Sequence, residues 1–580
     1  MKKLPIGISD FRDMVTGDFY YVDKTLFIKD IMDKGDKIML IPRPRRFGKT
    51  LNISMIAYYY DCCPEKLPMD SEGRFPTNRN DLPRNSYKDL FRNFNISGAG
   101  SEYTDKMGKH PVIFLSFRSI KNTDWETCFT KIKSLIQIEY LKHKYLLASN
   151  ELQPEEKDYF KKIIELRGDK GDYETSLEML LIFLSRYYEE RVVILIDEYD
   201  APVHAGYFNN YYDQVVDFLR NFLCSGLKDT DKYLEKSIVT GILRIAKESI
   251  FSGLNNLGVY TLLAYEFGDK FGFTETEVEK FLIDFNLLDH HAGVQQWYNG
   301  YRFGKETIFN PWSIISFLGY ESHMFQPYWL NTSDNQLINS LLSTGGAELK
   351  IELEQLIRGE SIKKHINENI VMKEITAKDD ALWSFLLMSG YLKYTGYEGD
   401  GKGKILYSLS IPNLEVRIIY ESIISDFFST KIKSKKTEAM LEALVEGDID
   451  FFEERLQEVV AAVFSYHDLS EEPEKVYHAF VTGLLVWLSA SHEIKSNRES
   501  GFGRYDIMII PKNPDKIGYV IEFKTINTRK NETIETATET ALKQIEEKKY
   551  ETELIERGIH RIKKLAIVFK GKEVVVKEKI

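Results

Sequence analysis

The sequence predicts an α/β protein with two separate sheets, and three observations carry that prediction. Apolar runs at 37–42, 112–117, 192–196 and 237–241 alternate with helical patterns across the first 265 residues, the pattern of a parallel sheet covered on both faces. The first run leads into Gly48-Lys49-Thr50 and the third ends in Asp197-Glu198. Far downstream, runs at 493–496, 505–510, 518–523 and 565–569 surround a long helical pattern, which reads as a smaller α/β domain.

Between these parts, EFGDKFGFTETEVEKFLIDF and LINSLLSTGG read as helices. The expected organisation is therefore a nucleotide-binding core over 1–265, a helical lid or connector over 266–435 and a second domain over 436–580. At 580 residues the chain is too long for one hydrophobic core.

Apolar residues make up 43% and charged residues 28%, a composition that supports packed domains rather than disorder. The net charge of -11 argues against wholesale coating of nucleic acid but leaves room for a local basic groove. Residues 561–580 carry seven Lys/Arg against two Glu, which reads equally as a phosphate-tracking edge or a solvated tail. Four cysteines without metal spacing fit a reducing compartment. Pro5 and Asp10 interrupt any leading apolar run, and no 18-residue apolar stretch occurs, so the expectation is a cytoplasmic protein without membrane contact.

A phosphate loop cradles anions with backbone N–H groups at a helix N-terminus, adds a lysine for the β/γ charge and places a hydroxyl on magnesium. Arg46, Phe47, Gly48, Lys49 and Thr50 stand where these parts belong. Arg43 replaces the first glycine of GxxxxGK[ST], and Pro44 removes one N–H donor. At the end of 192–197, Asp197 suits the magnesium shell and Glu198 the polarisation of an attacking water. Thr240 can sense the γ-phosphate if its strand lies between the other two, or it can simply cap structure. Arg244 and Lys247 follow, as an arginine finger or as solvated charges.

A phosphodiesterase needs carboxylates converging on magnesium and a nearby cation, held on adjacent strands. Asp506 opens the run IMII, while Glu522 and Lys524 lie two apart on the next strand and so share a face. The intervening Pro511-Lys512-Asn513-Pro514-Asp515-Lys516 has hairpin-turn chemistry. A third acid can come from Glu474, which shares a helix face with His478, or from Glu499. Gln544 and Tyr550 lie in the following helix, where Gln544 can orient a carboxylate or phosphate or merely be solvated.

The motifs YVDKTLFI, PRRFGKTLNISM, LIDEYDAPV, FSGLNN, WYNGYRFG and NPWS, followed by YHAFVTGLL, SNRESGFGRYDI, IEFK and ALKQIEEKKY, resemble a bacterial family in which an AAA-like ATPase is fused to a PD-(D/E)XK nuclease. The resemblance covers nearly the whole chain and implies a P-loop NTPase core with a C-terminal restriction-endonuclease-like domain. In that family PRRFGKT is a variant phosphate loop. The resemblance points to Lys49, Thr50, Asp197 and Glu198 for ATP, and to Asp506, Glu522 and Lys524 for cleavage.

The reading that follows is a magnesium-dependent, ATP-regulated nuclease acting on nucleic acid, DNA rather than RNA, with homo-oligomers possible and defence or mobile-element roles suggested by the resemblance. The competing readings are an ATP-dependent switch that binds nucleic acid or protein through an inactive nuclease-like domain, and a regulatory ATPase whose C-terminal strands bind a protein.

Overall fold

The computed structural model describes residues 2–63, 75, 87–244, 250–251, 256–320, 322–329, 347–357, 359–375, 378–420, 434–463, 481, 484–485, 488, 491–496, 499–500, 503–526 and 532–579. The chain packs as two compact units, one made of Met1–Tyr328 with Lys363–Leu414 and the other of Trp329–Ile362 with Glu415–Ile580.

The first unit is built on five strands: β1 (Ile38–Pro42), β2 (Val112–Ser116), β3 (Val192–Asp197), β4 (Leu234–Gly241) and β5 (Leu257–Val259). Every pairing is parallel, in the order β2-β3-β4-β1-β5. All five residues of β1 and all six of β3 are buried, as strands covered on both faces must be. Helices Lys49–Tyr60, Trp125–Lys142, Lys170–Tyr188 and Tyr212–Leu227 occupy the crossovers. The order places β4 between β1 and β3, so the strand bearing Thr240 separates the phosphate-loop strand from the Asp-Glu strand.

The segment expected to be a helical lid joins this same unit as far as Tyr328 and again from Lys363 to Leu414. It carries helices Glu275–Asp284, His291–Tyr298, Pro311–Gly319 and Asp379–Met388. It also carries strands the sequence reading did not foresee: β6 (Tyr301–Phe303), β7 (Glu306–Ile308), β8 (Ile362–His365), β9 (Lys393–Gly399) and β10 (Ile405–Ser410). β6 and β7, three residues each, span too few alternations to show a period of two, whereas β9 and β10, at seven and six residues, lie in a stretch read as helical. Phe281, Val294, Tyr298, Phe309 and Phe317 give this region an apolar cluster of its own.

The second unit holds β11 (His492–Ser496), β12 (Glu499–Ser500), β13 (Gly503–Arg504), β14 (Ile507–Pro511), β15 (Gly518–Thr525), β16 (Ile562–Lys570) and β17 (Glu573–Glu578). Its main sheet runs β11-β14-β15-β16-β17, antiparallel except for β15 with β16. Alternation sorts the side chains. Ile507, Ile509, Tyr519, Ile521 and Phe523 pack with Leu444, Phe452 and Leu456 from helices Ser434–Glu446 and Ile449–Val463. Met508, Ile510 and Val520 pack with Ile545, Tyr550 and Leu554 on the other face. The α/β class read from the sequence is the one observed, a parallel sheet core followed by a C-terminal sheet domain.

The basic tail forms the interior strand β16 and the edge strand β17 of that sheet. Lys563 pairs with Glu578, Lys564 with Glu551, Lys577 with Glu453 and Lys579 with Glu546. Among the described residues no helix is long and apolar enough to cross a membrane. All four cysteines are free thiols.

Behind β2 lies a buried polar network. Glu139 accepts the Phe114 N–H at 3.1 Å and pairs with Lys142 at 2.6 Å. The His143 ring contacts the Tyr145 hydroxyl at 3.0 Å and lies 3.7 Å from Glu139. Burial opposes charge on His143, but the Cys63 thiol and the Glu139 carboxylate outweigh it and raise its pKa from 6.5 to about 9. The folded value exceeds the unfolded one, so the stabilisation is whole below pH 6.5 and is lost as pH rises through about 9. Stability should fall over that window, by on the order of 3 kcal/mol at most, and the thermal midpoint with it. His143→Gln should flatten the dependence in scanning calorimetry.

Candidate functional site

β1 delivers the chain into the turn Arg43–Phe47, and Gly48 begins the helix Lys49–Tyr60 at φ 80°. Nothing crowds a Cβ there, so it is the backbone angle that demands glycine. Arg46 also holds a left-handed φ, 67°. The Lys49 amino group is buried and donates to the carbonyls of Arg43 and Pro44, each at 3.0 Å. Burial lowers its pKa, while the nearby carboxylates of Glu198, Asp197 and Asp200 pull it back up.

Asp197 is the common acceptor of the site. Its Oδ2 takes the Thr50 hydroxyl at 2.8 Å and the Ser116 hydroxyl at 3.4 Å, and its Oδ1 takes the Thr240 hydroxyl at 2.8 Å. Three strand ends and the loop helix therefore converge on one buried carboxylate. Thr50 and Asp197 offer hard oxygens of the kind magnesium takes, beside a lysine and a helix N-terminus suited to phosphate, so these residues fit a magnesium nucleotide. Glu198 follows with φ 50°, a conformation rare outside glycine.

Arg43 and Phe47 turn away from the loop. The Arg43 guanidinium donates to the carbonyls of Pro42 and Tyr260 at 2.8 and 2.7 Å, and lies over the rings of Phe271 and Phe303. The buried Phe47 ring meets Tyr301 and Phe303, which leaves its main chain alone to meet a ligand. Arg244 pairs its backbone with Asn369, and its buried Nε makes no hydrogen bond among the described residues. Lys247 lies outside the described residues.

Asp200 was not singled out by the sequence reading. Its Oδ2 accepts the N–H groups of Ile242 and Leu243 at 2.7 and 2.9 Å and lies 3.5 Å from His204. Burial raises its pKa, but His204 and the two N–H groups more than offset this and leave it below the usual range. Its signal was the third acid of LIDEYD, just ahead of the helix Ala201–Phe208.

In the second unit, the register Ile507↔Ile521 sets Asp506 opposite Glu522. Asp506 Oδ2 accepts the Phe523 N–H at 2.7 Å. Glu522 is 2% exposed. Its Oε1 accepts Lys524 Nζ at 3.1 Å and also the Gln544 amide, which in turn reaches the Tyr550 hydroxyl at 3.3 Å. Burial raises the Tyr550 pKa, Glu522 and Asp506 add to the rise, and Gln544 and Lys524 oppose it. Asp506, Glu522, Lys524, Gln544 and Tyr550 thus share one neighbourhood. Among the described residues no three His, Cys, Asp or Glu gather as a metal cage. Asp506 and Glu522 offer two carboxylates on neighbouring chain segments, and magnesium commonly completes its shell with water and substrate phosphate, so the pair is chemically compatible with the ion. Glu474 and His478 lie outside the described residues, as does the side chain of Glu499.

Residues 5–68 and 80–251 match the family model described as "Predicted AAA-ATPase". Residues 472–579 match the PD-(D/E)XK nuclease superfamily. The chain is also similar to a protein of Azotobacter chroococcum mcd 1 described as "Uncharacterized protein in vnfD 5'region", with 26% identity over 567 residues, 96% of this chain and 94% of that protein. The chain joins an AAA-ATPase-like domain to a PD-(D/E)XK nuclease superfamily domain, the fusion that its motifs resemble.

Proposed function

We propose that this protein binds and hydrolyses ATP in its first unit and uses that cycle to regulate magnesium-dependent cleavage of DNA in its second, in the cytoplasm. One observation carries the reading: each unit gathers acid, cation and hydrogen-bond donor from a sheet and the helix packed beside it, around Asp197 in one and Glu522 in the other. In the first, Lys49 and the loop N–H groups, with Arg46 at the rim, hold the phosphates. Thr50 and Asp197 hold the metal, Thr240 and Ser116 fix the Asp197 rotamer, and Glu198 takes a proton from the attacking water. Arg244 is the in-chain candidate to steady charge on the γ-phosphate.

In the second, Asp506 and Glu522 would hold magnesium, with Glu474 as a further candidate ligand. The ion would lower the pKa of bound water and offset charge on the phosphodiester. Lys524 orients the nucleophile and balances charge, and Gln544 keeps the Glu522 carboxylate turned toward the site.

Two measurements test the halves separately. Lys49→Ala should weaken magnesium-ATP affinity by about 10- to 100-fold in calorimetric titration, the loss of a charge-assisted contact. Asp506→Ala should cut magnesium-dependent cleavage of linear DNA by more than about 100-fold while leaving nucleotide affinity intact. Full cleavage by Asp506→Ala would remove the assigned centre. Binding without cleavage by the wild type in any divalent metal would instead favour a switch with an inactive nuclease-like domain.

A further inference from the structure

We propose that Asp200 is a positioning residue: it clamps the turn after β3 onto the end of β4 and so holds Glu198 in the backbone conformation that aims its carboxylate at the attacking water. The proposal rests on the ATP-hydrolysis reading above and adds to it the device that sets the base.

Asp197, Tyr199 and Asp200 are buried, and Glu198 alone of these four consecutive residues is partly exposed. Glu198 also holds a left-handed φ of 50°. A residue other than glycine stays in that region only where its surroundings over-determine it. Here the residues that follow supply the constraint.

The Tyr199 N–H donates to the Thr240 carbonyl at 3.1 Å, and the Tyr199 hydroxyl donates to the Leu243 carbonyl at 2.8 Å. Asp200 Oδ2 accepts the N–H groups of Ile242 and Leu243 at 2.7 and 2.9 Å. The Ala201 N–H turns back to the Glu198 carbonyl at 3.0 Å and closes the turn. The chain just past Glu198 is thus pinned to the end of β4 through both backbone and side chains.

Gly241 shows how closely the two segments meet. A Cβ added there would lie 2.7 Å from Asp200 Oδ1 and 2.8 Å from the Tyr199 ring. The Gly241 carbonyl accepts the Arg43 N–H at 3.0 Å, so the same strand end is tied to the start of the phosphate loop. Base and loop are therefore both referred to one fixed piece of backbone.

A general base works only within hydrogen-bond reach of the proton it takes, and a misplacement of about 1 Å can cost about 100-fold in rate. Loosening the clamp should slow hydrolysis while Lys49 and Thr50 keep their hold on the nucleotide. Asp200 itself, spent on two backbone N–H groups and packed against Gly241, acts through Glu198 and not on the phosphates.

The test uses the full-length protein, with steady-state ATP turnover in magnesium and calorimetric affinity for a non-hydrolysable ATP analogue. Asp200→Ala should lower kcat by about 10- to 100-fold with analogue affinity within about threefold of wild type. Asp200→Asn, whose amide oxygen can accept the same two N–H groups, should recover kcat to within about fivefold of wild type. In a Glu198→Gln background, Asp200→Ala should change kcat by less than about twofold, because two residues acting through one group are not additive. Tyr199→Phe removes one bond of the same clamp, should lower kcat by about three- to tenfold, and carries the test if Asp200→Ala does not fold.

An Asp200→Asn protein as slow as Asp200→Ala makes the charge itself the active part and overturns the proposal. So does a full further loss in the Glu198→Gln background, or a fall in analogue affinity that matches the fall in kcat. Unchanged turnover in Asp200→Ala, or in Tyr199→Phe where the alanine variant does not fold, overturns it too. Each of these leaves the ATP-hydrolysis reading standing. Wild type that turns over no ATP removes that reading and the proposal with it.

Discussion

A buried arginine with no acidic partner among the described residues holds the nucleotide half together. Arg43 is fully enclosed, and an enclosed guanidinium is costly unless each face and donor is met. Burial pulls its pKa below the usual arginine range. The carbonyls of Pro42 and Tyr260 accept from Nη1 at close range, those of Glu266 and Phe267 from Nη2 at 3.5 and 3.4 Å, and two aromatic rings cover its faces, while the buried Nε has no hydrogen bond among the described residues. These partners come from the end of β1, the chain just beyond β5 and the segment after it. One side chain therefore fixes where the phosphate loop starts, how the edge of the sheet closes and where the following region docks. A glycine at position 43 could not serve as that strut.

The loop above Arg43 is then shaped by contacts on every side. Pro44 packs close to Gly390, where an added Cβ would come within 3.0 Å of it, Phe47 is sunk among aromatic rings, and Arg46 is held by Trp312 and Tyr328. Such enclosure gives the main-chain donors a fixed direction before any ligand arrives, which is how preorganised sites gain strength. The second unit solves a similar problem with fewer parts. Asp506 is tied to a backbone N–H of the neighbouring strand, and Glu522 is set by a lysine two residues on and by a glutamine from the packed helix. Asp197 closes β3, Asp506 stands just ahead of β14 and Glu522 lies within β15, so in both halves the acids are carried by the sheet backbone and the side chain alone has freedom to be positioned.

Much of this was legible along the chain because the chemistry is local. Gly48-Lys49-Thr50 announces a strand-to-helix turn, and Asp197-Glu198 closes an apolar run. Glu522 and Lys524 share a face by the two-residue period that also sends Phe523 into the opposite core. What escaped was short or non-local. β5 and the hairpin β6–β7 have strands of three residues, too few to show a period. β17 was masked by the lysines in and around it, Lys577 and Lys579, whose charges are matched by glutamates distant in sequence. Asp200 looked like one more acid, since its partners Ile242 and Leu243 lie over forty residues away.

The sequence by itself determined the two sheets, the phosphate-loop helix and the candidate acids, because periodicity, turn chemistry and residue type act between near neighbours. Tertiary structure alone decided that Thr240 and Thr50 grip the same carboxylate, since that depends on β4 sliding between β1 and β3. It also decided that Arg43 is a buried strut and not a defect in the loop, because a side chain's direction follows from what surrounds it. No spacing along a chain records that.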